Sequence, residues 1–389
     1  MEERETCIAG VGESRYARWG KITDSSELGL ACDAVLAALA DAGMPPAEVD
    51  GFASYSNDAN LPAQMQLALG CRALRHASLV WGGGGGGALA AVGNAAAAVA
   101  SGQAECVVVF RSLCQGQSGR LGSGRSRGPL ANFTLPFGLV APVQQAALVA
   151  SRHRHERGGS AEALAEIACA FRAHAQANPR AIMRGRPMEP DDYFASPMIS
   201  DPLRLLDCCL ESDAAAAVVV TTREHARRAG AAAAPILAVG TGGGRHWGLG
   251  FLGAHNPPLE RAAGGNAEDL GRELFARAGL RPEDVKVAQF YDAFTPMVLQ
   301  ALEDYGFCAP GEADAFVRAG SLRLGGRLPS NTAGGSLSEA YVHGCNLVVE
   351  AVRQMRGTAI NQVPGADVAF VGGGPGVAPT SALLLGKNT

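Results

Sequence analysis

Residues 42–49, Ala-Gly-Met-Pro-Pro-Ala-Glu-Val, return at 278–285 as Ala-Gly-Leu-Arg-Pro-Glu-Asp-Val, an offset of 236 residues (278 − 42). Tyr55 and Tyr291 lie at the same offset, each at the end of the strand expected after its copy. The glycine run Gly82–Gly87, the alanine-rich stretch Ala88–Ala100 and the apolar run Cys106–Phe110 are mirrored by Gly334-Gly335, a helical pattern over 346–356 and a strand over 367–371. A chain that carries one α/β unit twice has to fold as two like halves. Equivalent loops from both halves then meet at a shared crevice, the usual place for ligand sites in α/β folds. Gly85, Tyr291 and the 334–343 turn are therefore expected to converge.

Local patterns fill in the halves. Cys7–Gly12 is a short apolar run suited to a first strand, and Val49–Tyr55 suits another. Asp24-Ser-Ser-Glu27 has the form of a capping box, which opens a helix that runs to Ala42 and stops at Gly43. Leu28, Cys32, Val35, Leu36 and Leu39 keep helical spacing along it. The Ala- and Gly-rich helix is expected at the centre of the molecule, between other elements. From about 113 to 206 the character changes: 111–120 and 122–125 read as loop, helices follow over 141–157 and 161–177, and prolines punctuate the segment to Pro202. This reads as an insertion covering a site. Asp213–Thr222 returns to a buried strand, Ala231–Pro235 marks a boundary, and Ile236–Thr241 begins the second half. Asn266 and Asp269 cap a helix ending at Gly279. The expected division is 1–230 and 231–389.

Composition limits the function classes. With 389 residues, 47% hydrophobic and 18% charged, the chain can bury a large core, and its net charge of −4 argues against nucleic acid as a partner. The ten cysteines show neither C-x-x-C nor zinc-ligand spacing, so no metal site is expected and most should act as small hydrophobes. No apolar run reaches membrane-spanning length and no signal peptide is evident, so a reduced, cytoplasmic protein without membrane insertion is expected.

The stretch Ser330–Asn346 concentrates chemistry. Gly334 and Gly335 precede Tyr341 and His343, two groups able to move protons, ahead of the helical pattern from Leu347. Glycines before a helix start let backbone N–H groups face an anion. Further motifs are Tyr291-Asp-Ala-Phe-Thr295, Asn331-Thr-Ala-Gly-Gly335 and Val371-Gly-Gly-Gly-Pro-Gly-Val-Ala378, with Asn178-Pro-Arg-Ala181 and the segment Asp201–Asp213.

On these motifs nearly the whole chain resembles the thiolase superfamily, nearest its sterol-carrier-protein type. The resemblance implies a duplicated five-layer α/β/α/β/α fold that binds acyl-CoA. It also exposes departures. The nucleophilic Cys of a thiolase falls at Gly85, its second Cys at Phe370, the Asn of its Asn-Glu-Ala-Phe motif at Tyr291, and the His of its Gly-His-Pro motif at Tyr341, with Val342 in place of the Pro. Without a thiolate there is no acyl-enzyme. Tyrosines at the emptied positions resemble the lipid-transfer aldolases that cleave β-hydroxyacyl-CoA thioesters, notably in steroid side-chain degradation. That likeness implies catalysis by the paired tyrosines and a zinc-ribbon/OB-fold companion subunit. A homodimer within a heterotetramer is the expected assembly, with no bound cofactor and CoA present as part of the substrate.

A retro-aldol cleavage needs a base for the β-hydroxyl, donors for the thioester enolate and an acid for the α-carbon. Tyr291 and Tyr341 are the expected acid/base pair, with roles not separable, and His343 is a third residue that could take up a proton beside them. The backbone of Gly85, at a helix start, and of Gly372 are the expected oxyanion donors. Phe133 and Phe137, with Leu135 and Tyr193, are expected to line a pocket for a bulky apolar group. Two alternatives stay open: a CoA-dependent thiolase route using Cys308 or Cys345, and a non-catalytic acyl-CoA-binding subunit.

Overall fold

The computed structural model describes residues 4–56, 58–82, 84–118, 132, 134–242, 263–374 and 379–387. The first half runs β1 (Thr6–Glu13), β2 (Ala17–Arg18), α1 (Glu27–Ala42), β3 (Gly51–Tyr55), α2 (Pro62–Leu69), β4 (His76–Val80), α3 (Gly86–Ala100), β5 (Cys106–Cys114) and α4 (Gln115–Ser118). A helical segment follows with α5 (Pro142–Arg157), α6 (Ala161–Ala177), α7 (Pro190–Ala195), β6 (Met198–Ser200) and β7 (Leu203–Arg204), before β8 (Ser212–Thr222) and α8 (Arg223–Ala229). The second half runs β9 (Ala234–Gly242), α9 (Glu268–Ala278), β10 (Val287–Phe290), α10 (Thr295–Asp304), α11 (Ala313–Arg318), α12 (Gly335–Ser338), α13 (Cys345–Arg356), β11 (Val368–Gly373) and β12 (Thr380–Gly386).

The duplication is plain in the sheet order. One half pairs as β1-β8-β5-β3 with β4 at its edge, the other as β9-β12-β11-β10, and the two join where Cys7 and Ile8 pair with Pro235 and Ala234. In each half the strand after the repeat lies parallel to the strand after the central helix, β3 to β5 and β10 to β11. The repeat itself folds alike in both copies: Gly43 and Gly279 close α1 and α9 with φ of 67° and 64°, and single 3-10 turns follow at Pro46–Glu48 and Pro282–Asp284.

Layering follows from which strand faces are apolar. Along β8, Ala214, Ala216, Val218 and Val220 face the core shared with α3, while Ala215, Ala217 and Val219 face the core under α1. Both faces are covered, so the strand reads as a continuous apolar run and not as an alternation. Helices α3 and α13 each contact strands of both sheets, α1 covers the outside of the first and α9 that of the second. The result is the five-layer α/β/α/β/α arrangement. A helix held between two sheets has to be thin, which explains the composition of α3: a Cβ at Gly86 would strike the Pro379 carbonyl, and one at Gly93 would lie 3.3 Å from Val239. No helix among the described residues is long and apolar enough to cross a membrane.

Several local expectations need correction. Helix α1 is capped by Ser26, whose Oγ accepts the Gly29 N–H at 3.1 Å, while Asp24 instead pairs with Arg15. Its buried face runs through Leu30, Ala34, Val35, Ala38 and Leu39, leaving Leu36 exposed. Asn266 does not cap α9; it takes a left-handed φ of 62°, and Asp269 reaches Arg272 at 2.7 Å. Residues 111–114, read as loop, continue β5, because Arg111 to Cys114 keep their pairing with Ala216 to Asp213. The ladder outweighs the local polarity.

Candidate active site

Tyr291 follows β10 directly, and its N–H donates to the Gly372 carbonyl at 2.9 Å. Tyr341 lies beyond α12, and its N–H donates to Ser212 Oγ at 3.1 Å. Their phenol oxygens meet at 2.8 Å, and both side chains are buried. Burial pushes both phenols well above the ordinary tyrosine range, so the pair is neutral at neutral pH. The lowered phenol pKa that a resting tyrosinate base would require is not present.

Two glycine loops make room for the Tyr291 ring. A Cβ added at Gly85, on the first turn of α3, would fall onto ring carbons Cδ2, Cγ and Cε2 of Tyr291. One added at Gly344, which opens α13 with φ 85°, would lie 3.5 Å from Cδ2 and 3.6 Å from the Gly85 carbonyl oxygen. The starts of the two central helices thus meet across one tyrosine ring. The convergence expected of Gly85, Tyr291 and the 334–343 turn is what the fold brings about.

The turn itself departs from its expected use. Asn331 takes φ 47° and acts as a strand partner: its Oδ1 accepts the Phe290 N–H at 2.7 Å and its Nδ2 donates to the Phe290 carbonyl at 2.8 Å. Gly335, at φ 61°, opens α12, and a Cβ there would lie 2.5 Å from Asn331 Nδ2. The helical N–H groups it frees, those of Ser336 and Leu337, are taken by the Asp292 carboxylate at 2.8 and 3.1 Å. The anion at this turn is an internal side chain. Burial raises the Asp292 pKa to about 6, against those N–H donors, which pull it down.

His343 sits at φ 50° with its ring edge-on to Tyr341, centroids 4.7 Å apart, and to Tyr55 at 5.4 Å. Its Nδ1 accepts Arg111 Nε–H at 3.1 Å. Burial, and then the Arg111 charge, press its protonation well below the ordinary imidazole range. That direction runs against the proton-acceptor role expected from the sequence. Arg111 lies inside β5 among apolar residues. It also donates to Tyr55 Oη at 3.1 Å and to Asp58 Oδ2 at 2.9 Å, with Glu27 at 3.7 Å.

The remaining expected residues fall in different places. Gly372 is paired on both sides within the sheet, to Phe290 and to Ala382, and its carbonyl anchors Tyr291. Phe370 packs in an aromatic cluster, with ring centroids 4.7 Å from Tyr305 and 5.2 Å from Phe307. Phe133 lies outside the described residues. Phe137 stands 85% exposed on a 3-10 turn. Tyr193 is a core residue whose hydroxyl donates to Asp207 at 2.8 Å, so it lines no pocket. Burial pushes both Cys308 and Cys345 up to about 12, and Cys345 Sγ donates to the Ala216 carbonyl at 3.3 Å. Neither supplies a thiolate. Among the described residues no group of three or more His, Cys, Asp or Glu could hold a metal.

The sequence reading missed Arg111 and Asp58, and gave 208–212, part of the Asp201–Asp213 motif, no place in the site. Cys209 N–H donates to the Ala293 carbonyl at 2.9 Å and Leu210 N–H to the Ser336 carbonyl at 3.0 Å. That segment therefore stitches the Tyr291 strand end to the Tyr341 turn. An arginine inside the run Val107-Val-Val-Phe-Arg111 was the signal available for the buried network.

Comparison with known proteins agrees with this fold. The family described as thiolase C-terminal domain-like matches residues 261–387. A steroid side-chain-cleaving aldolase of Thermomonospora curvata is 41% identical, covering 98% of this chain and 97% of the relative. A 17-hydroxy-3-oxo-4-pregnene-20-carboxyl-CoA lyase of Mycobacterium tuberculosis is 40% identical over 99% of this chain and 100% of the relative. Among solved structures, an Ltp2-ChsH2(DUF35) aldolase superposes with a TM-score of 0.90 at 40% identity, covering 99% of this chain and 98% of its own.

Proposed function

The chain belongs to the steroid side-chain-cleaving aldolases of the thiolase superfamily, and from that premise we propose that it is a carbon–carbon lyase cleaving a β-hydroxyacyl-CoA by retro-aldol reaction. The products are a ketone or aldehyde and a shortened acyl-CoA. The substrate class is a bulky CoA thioester, a steroid side chain being the example set by the relatives. One observation carries the catalytic assignment: the hydrogen-bonded hydroxyls of Tyr291 and Tyr341, set where the two central helices begin.

The chemistry is balanced in protons. The β-hydroxyl loses a proton, the C–C bond breaks with its electron pair passing to the thioester enolate, and the α-carbon regains a proton. A phenol both donates and accepts. One tyrosine can therefore accept the alcohol proton while its own passes to the second, which protonates the α-carbon. Such a relay needs no ionised tyrosine at rest, which fits two phenols whose acidity burial suppresses. Backbone N–H groups near Gly85, at the positive end of α3, are the proposed donors to the enolate oxygen.

The proposed assembly is a homodimer joined by a DUF35-type zinc-ribbon/OB-fold subunit that completes the acyl-CoA site. Its support is the named partner of the similar structure and the open sheet edge at β4, near which Leu67, Leu79 and Trp81 are exposed. The chain's free thiols suit a reducing cytoplasm.

The test is incubation of the chain, alone and with such a partner, with a tertiary β-hydroxyacyl-CoA, detecting ketone and shortened acyl-CoA. Tyr291→Phe and Tyr341→Phe should each lower kcat by about 10²–10⁴-fold, the range for a positioned acid or base. Full activity in both variants would overturn the assignment, and a requirement for free CoA would mark a thiolase instead.

A further inference from the structure

Arg111 is an unusual residue to find where it is. Its side chain is almost wholly buried in β5, in the layer between α1 and α3. Its Nε–H is shared between Tyr55 Oη and His343 Nδ1, both at 3.1 Å, and its Nη1 is held by Asp58 at 2.9 Å. Asp58 is itself fixed by the Ser112 N–H at 2.9 Å and by Asn60, whose Nδ2 also donates to Ser112 Oγ at 2.8 Å. A buried guanidinium held at both Nε and Nη1 is rigid. Removing one partner of such a network leaves a charge uncompensated, so the network holds its geometry.

The consequence falls on His343. A guanidinium carries five N–H donors and no acceptor. The imidazole nitrogen that faces it must therefore be bare, and the ring proton of neutral His343 must sit on Nε2. Among the described residues Nε2 makes no hydrogen bond, Nδ1 being the ring nitrogen that does. The imidazole stands edge-on to the Tyr341 ring, centroids 4.7 Å apart, beside the phenol pair. We propose that Arg111 is a positioning residue that locks His343 in the Nε2–H form, so that this N–H donates to the thioester oxygen of the substrate as the enolate develops. The role is the reverse of a base. It rests on the aldolase reading for its substrate, but the tautomer does not.

The groups against His343 are Tyr55 from β3, Arg111 from β5 and Tyr341 from its own segment, with Asp58 from the loop after β3 and Glu27 of α1 on the Arg111 guanidinium. The adjacent cation is Arg111, and Asp58 and Glu27 neutralise it without touching the imidazole.

The direct experiment is nitrogen NMR of the full chain labelled with ¹⁵N-histidine, the His343 signals being assigned by their loss in His343→Gln. Expected in the unmodified protein is a neutral ring with Nε2 protonated and Nδ1 bare, unchanged as pH is lowered through the range where free imidazole titrates. An Nδ1–H tautomer, or an ordinary titration near pH 6.5, would overturn the proposal whether or not the chain proves to be an aldolase. Arg111→Lys, which keeps the charge and offers donors only, should hold the tautomer; Arg111→Met should release it and lower kcat more than it raises KM. His343→Leu should lower kcat about 10²-fold, as loss of one oxyanion donor does, while His343→Gln, which retains an N–H, should lose less. Unchanged kcat in His343→Leu would sink the donor role even with cleavage intact.

Discussion

A Cβ at residue 85 and the phenol ring of Tyr291 cannot occupy the same space. The position that carries a nucleophile in a thiolase is thus closed to any side chain for as long as this tyrosine stands opposite it. Gly85→Ala should push the Tyr291 ring aside, break the 2.8 Å contact with Tyr341 and cost about 1–3 kcal/mol as overpacking. Thermal denaturation and cleavage assays should both show the loss. In a Tyr291→Ala background, whose own cavity costs about 3–5 kcal/mol, adding Gly85→Ala should cost little further, a non-additivity that a double-mutant cycle reads directly. Simple additivity would mean that the two residues do not collide. The phenol pair makes a second prediction at this scale. If the proton passes between neutral tyrosines, kcat should stay flat from pH 6.5 to 8.5, because burial keeps both phenols un-ionised throughout. A tenfold rise per pH unit would instead identify a tyrosinate base.

At the scale of elements, the site depends on a helix of one turn. Gly335–Ser338 is too short to be stable alone, and it is held by Asp292, which accepts the N–H groups of Ser336 and Leu337. Asp292→Asn would set an amide NH₂ against one of those N–H groups. The expected cost is about 1–3 kcal/mol for a buried donor left without an acceptor, with a fall in kcat as Tyr341 loses its register. Wild-type stability and turnover in this variant would show that the turn stands without the carboxylate. Asp292 also illustrates how much of this site could be read in advance. The glycines announced helical N–H groups facing an anion, and that was correct in chemistry; that the anion lies 44 residues upstream in the chain is a tertiary fact. The repeat was legible because Gly and Pro fix backbone geometry locally, at Gly43 and Pro46 as at Gly279 and Pro282. Arg111 was not, since a charged residue ending an apolar run looks like the start of a loop until its partners, Asp58 and His343, are brought to it from other elements. Tyr193 erred the other way: an aromatic in a covering segment looked like a pocket wall, and its hydroxyl proved to be tied to Asp207 in the core.

Across the whole molecule, burial of ionisable groups makes stability depend on pH in a direction that can be worked out. Burial raises Asp292 to about 6, Asp304 to about 7 and Glu339 to about 8, the last helped by the nearby Glu13 charge. Among the described residues Glu339 accepts from amides, Asn178 Nδ2 at 2.8 Å and Asn346 Nδ2 at 3.0 Å, and Asp304 has one oxygen without a hydrogen-bond partner. Each native carboxyl keeps a proton that the unfolded chain has already released, so stability falls as pH rises toward the native pKa. Buried histidines act in the opposite sense. Burial lowers His174 to about 4 and His343 well below its ordinary value, so folding holds back protons that the unfolded chain takes up below about pH 6.5. Below that pH the two sets oppose one another and the dependence should be shallow. Between pH 6.5 and 8 the histidines are neutral in both states, Asp292 and then Asp304 drop out, and Glu339 remains. One proton held by the native state alone corresponds to about 1.4 kcal/mol per pH unit, so urea unfolding should show roughly 2 kcal/mol lost across that interval. Glu339→Gln keeps a carbonyl for one of the two asparagine amides and removes the titration. Its unfolding free energy should decline much less than that of the unmodified chain, with only the Asp304 share left, and a decline that persists unchanged in Glu339→Gln would place the linked proton on another group.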